Sequence, residues 1–185
     1  MSRLTNFLDN AHILKFPGFR QTFEWNCGTT ALNMVLAYYG YDVTESCIIK
    51  MSGANDKEGT PIEGMKKVAK SYGIQIKEGK LSTSEIRDNI DKGYPSILLI
   101  QAWTKKIDPD WKNEWDQGHY TVVIGYDKNR LIFADPISIK RVFLSDGSLN
   151  SRWHGFDDDG KKISKWGMIC KGTPSYDFQN IEEMG

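Results

Sequence analysis

The chain has 185 residues, the size of a single domain (residues 1–185) with a full hydrophobic core, and its 24 Lys and Arg are balanced by 24 Asp and Glu. That neutrality gives no bulk attraction for nucleic acid or for an anionic membrane surface, and the absence of any apolar run of eighteen residues excludes insertion into a bilayer by a helix. Residues 1–16 lack the apolar core of a secretory signal, and three unclustered cysteines exclude a disulfide framework and a zinc site, so a reducing, cytoplasmic location is expected.

The first element is a helix over residues 28–39. Ala31, Met34, Val35 and Tyr38 recur at i, i+3, i+4 and i+7, Leu32, Leu36 and Tyr39 widen the apolar face, and Gly40 suits a left-handed stop. Asn26 is a good N-cap residue, which puts Cys27 in the first turn. There the unpaired N–H groups and the helix dipole favour an anion, and a thiolate is the nucleophilic form of cysteine. Cys47 and Cys170 have no such setting and read as small buried hydrophobes.

Thr60-Pro61-Ile62-Glu63 reads as a capping box with Pro at the first helical position. It opens a helix with Ile62, Met65, Val68, Ala69 and Tyr72 inward, stopped by Gly73, and a short strand over 74–77 follows. Ser82 and Glu85 form a second capping box, ahead of a helix with Ile86 and Ile90 inward and Gly93 after it. Tyr94-Pro95 leads into a strand over 96–103. The polar loop 104–117 follows, with Trp111 and Trp115 in it and Trp103 before it. It reads equally well as a wall of a substrate cleft, with Trp111 and Trp115 as substrate-binding residues, or as a flap packed on the sheet edge.

Residues 120–126 and 131–134 are rich in Val, Ile, Tyr, Leu and Phe, and the turn formers Asp127-Lys128-Asn129-Arg130 lie between them, which predicts a hairpin. His119 starts one strand and Asp135 ends the other. They share parity, so an odd-numbered loop such as 127–129 brings both side chains to one face; an even loop without a bulge would separate them. Further strands are expected over 139–144 and 166–170. Asp157-Asp158-Asp159-Gly160 lacks the EF-hand ligands that would be needed at positions 155 and 166 and reads as an acidic surface turn. His154 reads as a surface histidine. The fold class is α+β, helices first and a mostly antiparallel sheet after them.

Gln21, five residues, Cys27-Gly28, then Gly118-His119-Tyr120 and Asp135-Pro136 together resemble the papain-like cysteine peptidases that process double-glycine leader peptides of bacteriocins. The similarity covers about residues 17 to 136 and departs at Asn26, where that family usually carries Asp. It implies a papain-like fold, with the nucleophile helix packed on the sheet. It also implies a thiol peptidase in which Cys27 attacks, His119 exchanges the proton, Asp135 orients the imidazole, and Gln21 with the Cys27 N–H binds the oxyanion. No metal or organic cofactor is implied. The expected partner is a peptide or protein substrate. The chain has no Gly-rich lysine loop, so it is not expected to be an exporter itself, and the identity of a separate transporter partner stays open. Amide or isopeptide hydrolysis, another acyl transfer, and an idle peptide-binding module of the same fold remain alternatives.

Overall fold

A computed structural model describes residues 11–175, 177, 181, 183 and 184. The long apolar helix forms as α1 (Cys27–Tyr38), and Ala31, Leu32, Met34, Val35 and Leu36 are wholly buried in it. It ends in a Schellman arrangement: Gly40 is left-handed at φ +84°, its N–H reaches Ala37 C=O at 2.9 Å, and Tyr41 N–H reaches Leu36 C=O at 3.0 Å. At the other end, Asn26 occupies the cap position without capping. Its side chain turns back instead and accepts the Phe23 N–H at 3.0 Å.

The capping box at Thr60 does not form either. Helix α3 (Ile62–Ser71) is capped from far along the chain: the Asp158 carboxylate accepts the Ile62 and Glu63 N–H groups at 2.7 and 2.9 Å. Thr60 is drawn off to accept the Thr29 N–H at 3.2 Å, because its hydroxyl packs against the first turn of α1. Asp158, expected in a plain surface turn, therefore ties two parts of the fold together. Helix α4 (Thr83–Ile90) follows its capping box, with Ser82 accepting the Glu85 N–H and with Ile86 and Ile90 buried.

Two helices carry little apolar periodicity. In α2 (Glu45–Ser52) the only fully enclosed apolar side chain is Ile48, and Cys47 is exposed rather than buried, since it faces away from the core contact. The seven-residue α5 (Asp146–Arg152) buries only Leu149. Local caps mark both, Thr44 with Gly53 for α2 and Ser145 for α5.

Nine strands complete the described chain: β1 (His12–Ile13), β2 (Gln75–Lys80), β3 (Ser96–Gln101), β4 (Gly118–Tyr126), β5 (Arg130–Asp135), β6 (Ser138–Ser145), β7 (His154–Phe156), β8 (Lys162–Ser164) and β9 (Trp166–Lys171). All their pairings are antiparallel. The main sheet runs β2-β9-β3-β4-β5-β6, with β1 added beside the far end of β4, and β7 and β8 form a separate ribbon. Every residue of β3 is buried, as in a strand covered on both sides. That strand stops two residues short of the predicted end because Trp103 takes a left-handed conformation, φ +59°. The class is α+β, and α1 packs on β4 at the middle of the sheet.

Candidate active site

Cys27 is the first residue of α1, and His119 is the second residue of β4. Gly28 lets them approach: a Cβ at that position would lie 2.6 Å from the Thr60 Cβ and 2.9 Å from the Tyr120 ring. Only glycine leaves room for Thr60 and Tyr120 to close on this turn.

His119 and Asp135 reach one face by a route that differs from the expected odd loop. Next to the turn, Tyr126 pairs with Leu131, which corresponds to an even loop. A β-bulge between Val123 and Gly125 then shifts the register by one, so that Val122 pairs with Ala134. The bulge restores the shared parity and leaves His119 diagonal to Asp135. The contact is direct: His119 Nε2 lies 2.9 Å from Asp135 Oδ2, and both residues are buried. An ionised carboxylate only accepts, so Nε2 donates and Nδ1 is the ring nitrogen left for Cys27. Asp135 also accepts the Ile137 N–H on Oδ1 at 2.9 Å and the Trp103 indole N–H on Oδ2 at 3.3 Å. Nothing local in the sequence marks Trp103 as a partner of Asp135; its left-handed backbone aims it there.

These contacts set the proton positions. Burial pushes the Cys27 thiol up, but the hydrogen bond and charge of His119, aided by the backbone of Tyr120 and Gly28, outweigh it and hold the thiol below its ordinary value. For His119, burial works against the charged ring, and the hydrogen bonds and charges of Asp135 and Cys27 push it up to about 9. Asp135 is raised by burial and lowered more by His119, so it stays ionised. The arrangement favours a thiolate–imidazolium pair beside a carboxylate. The buried cysteine is the opposite case: burial with no cation pushes Cys170 up to about 12.

Gln21 lies beside this group. Its N–H donates to Pro136 C=O at 2.8 Å, and its side-chain Nε2 donates to Phe23 C=O at 2.7 Å. Gln21 Oε1 is buried and has no partner among the described residues. The Phe23 carbonyl fixes which end of the amide carries hydrogen, since a flipped amide would set two oxygens against each other.

Two grooves meet at Cys27. One, of about 620 Å³, is lined by Arg20, Gln21, Phe23, Trp103 and His119. The other, of about 720 Å³, is lined by Trp25, Thr60, Trp115, Tyr120 and Asp158. Trp115 stands at the second groove, while Trp111 lines neither and packs under the Arg152 guanidinium, 3.7 Å from its ring centre. His154 is buried, not on the surface. Its Nε2 donates to Glu114 C=O at 2.7 Å and its ring packs on Trp115 at 4.3 Å, which fastens loop 104–117 to β7. Among the described residues, no three His, Cys, Asp or Glu side chains gather as a metal ion requires.

The family model described as "Peptidase C39 family" matches residues 15–156. The lactococcin-A transport/processing ATP-binding protein LcnC of Lactococcus lactis subsp. lactis is 29% identical over 159 residues, which are 84% of this chain and 19% of that protein. The chain thus spans about a fifth of that relative's length. The crystal structure of a C39-like peptidase from Bacillus anthracis superposes with a TM-score of 0.65 at 19% identity, covering 90% of this chain and all of that one. The peptidase domain of the Streptococcus ABC transporter ComA superposes at 0.61 with 21% identity, covering 88% of this chain and 99% of that domain. These two likenesses confirm the papain-like α+β fold expected from the sequence.

Proposed function

Because the chain belongs to the peptidase C39 family, we propose that it is a cysteine peptidase that hydrolyses a peptide bond through Cys27, His119 and Asp135. The observation that carries this reading is the buried His119 Nε2–Asp135 Oδ2 contact, together with a Cys27 thiol that His119 holds below its ordinary value.

In the proposed reaction, the Cys27 thiolate adds to the carbonyl carbon and the C=O electron pair moves to oxygen. Gln21, through the second hydrogen of its NH₂, and the Cys27 N–H meet that oxyanion. The C–N bond then breaks as the imidazolium hands its proton from Nδ1 to the leaving amine. A water molecule, deprotonated by His119, cleaves the thioester and frees the acid. Asp135 keeps Nε2–H engaged throughout, so that Nδ1 stays turned to sulfur. His119 has to reach the leaving nitrogen, so the groove it lines takes the amine side of the substrate and the groove at Trp115 takes the acyl side.

The substrate is a peptide. The family resemblance, and the lactococcin transport and processing named for the LcnC relative, favour a small-residue site such as Gly-Gly. Trp115 is proposed to contact the acyl side, and Trp111 to support it only through loop 104–117. No helix among the described residues is long and apolar enough to cross a membrane.

A peptide library with Gly-Gly, Gly-Ala and bulky pairs, digested by the wild type and by Cys27→Ala and read by mass spectrometry, tests the reading. Hydrolysis products that vanish in Cys27→Ala support it. Products joined to an added amine in preference to water indicate acyl transfer instead. No products from a folded protein whose Cys27 also fails to alkylate selectively indicate a binding module.

A further inference from the structure

The loop between Gln21 and Cys27 is tied at both ends, and Asn26 is one of the ties. Gln21 N–H is bonded to Pro136 C=O, beside Asp135. Phe23 is gripped on both its backbone groups by the same residue. Its N–H donates to Asn26 Oδ1 at 3.0 Å, and its C=O accepts the Asn26 N–H at 3.4 Å. That Phe23 carbonyl is also the acceptor of the Gln21 NH₂ at 2.7 Å. Asn26 is fully buried, and no partner of its Nδ2 exists among the described residues. A buried amide with half of its hydrogen-bonding capacity unused is costly, so the half that is used has to repay the burial. The Phe23 side chain contributes little enclosure: it is 49% exposed and stacks on Trp25. The peptide group, not the ring, is what the loop holds in place.

We propose that Asn26 is a positioning residue for the oxyanion site, acting through the Phe23 peptide on the Gln21 amide. Its role requires an acceptor oxygen, whether or not that oxygen carries charge. Without it the Phe23 peptide can rotate, its carbonyl no longer aims the Gln21 NH₂, and Gln21 loses its set orientation while Cys27 and His119 keep theirs. The inference rests on the assignment of Gln21 as an oxyanion donor made above.

Two probes of Cys27 separate these effects. N-acetyl-glycyl-glycinal, a peptide aldehyde, forms a hemithioacetal: Sγ bonds to the aldehyde carbon, the C=O pair moves to oxygen, and the imidazolium proton ends on that oxygen, which lies in the proposed site. Iodoacetamide loses iodide at a saturated carbon and builds no charge on oxygen, so its rate reads only the thiolate. Asn26→Ala and Asn26→Leu, the second filling the same buried volume, are expected to weaken aldehyde binding roughly tenfold and to leave the iodoacetamide rate unchanged. Asn26→Asp retains the acceptor and restores most of the affinity. In a Gln21→Ala background, Asn26→Ala is expected to add no further loss, since the group it positions is gone.

Wild-type aldehyde affinity in Asn26→Ala while Gln21→Ala is weakened overturns the inference, as does an equal loss in both backgrounds. A parallel fall in the iodoacetamide rate also overturns it, because that marks general disorder at the start of α1. Wild-type affinity in Gln21→Ala is the separate result that rejects Gln21 as the donor, and the positioning role with it.

Discussion

At the residue scale, three cysteines of one chain occupy three environments, and chemistry should follow environment. Cys47 is exposed, Cys170 is enclosed and raised to about 12, and Cys27 is lowered by a buried imidazolium. Iodoacetamide near pH 6 should therefore label Cys27 far faster than either of the others, as read from labelled peptides by mass spectrometry. Equal labelling, or labelling only after unfolding, removes Cys27 as the nucleophile. His119→Ala should abolish turnover, since the thiol then lacks its proton acceptor, and Asp135→Ala should lose less, since the ring stays but is poorly held. An Asp135→Ala enzyme with an unchanged rate would reduce the triad to a pair. Gln21→Ala should lower kcat on the order of a hundred- to a thousandfold with little change in KM, because the contact strengthens only as charge develops. The Phe23 contact allows a plainer outcome, in which Gln21→Ala lowers the melting temperature and spares kcat per folded molecule. A melt and a steady-state assay on one preparation decide between them.

At the element scale, caps and register decide what the side chains meet. The Asp158 carboxylate caps α3 across the groove, so the β7–β8 turn is fastened to the helix that follows Thr60, and Thr60 is left to hold the start of α1. Asp158→Ala should cost about 1 kcal/mol, the usual loss for a helix cap, and lower the melting temperature by roughly 2–4 °C. Asp158→Asn should cost less. A circular-dichroism melt checks both, and no change in either would mean that water replaces the cap fully. The hairpin shows what local sequence conveys about register. The turn formers at 127–130 and the apolar strands around them mark a hairpin, but parity rests on one extra residue. The bulge between Val123 and Gly125 supplies it where β4 changes neighbour, from β3 to β1. Helices α2 and α5 leave no periodic signal in the sequence because each encloses a single apolar side chain. A helix with so little periodicity shows in sequence only through its caps, Thr44 with Gly53 and Ser145.

At the scale of the whole molecule, one buried charge system should govern the pH dependence. Cys27 ionises below its ordinary value, so kcat/KM should rise with pH through that lowered pKa. The same rate should fall as pH passes about 9, where His119 gives up the proton that the leaving amine needs. Asp135→Asn removes the carboxylate that raises His119, so the alkaline limb should move to lower pH. An alkaline limb that stays in place would separate Asp135 from the titration. The sequence by itself determined the helix that carries Cys27, the capping box at Ser82 and most of the strands, including the two that carry His119 and Asp135. Each of these follows from side-chain periodicity or from a turn residue within a few positions. Only the tertiary structure decided the contacts between segments distant in sequence. Asp158 replaces Thr60 as a cap, Trp103 leaves its strand to reach Asp135, and His154 is buried under loop 104–117. A polar group satisfies its hydrogen bond with whichever partner the packed chain brings nearest, and local sequence does not contain that partner.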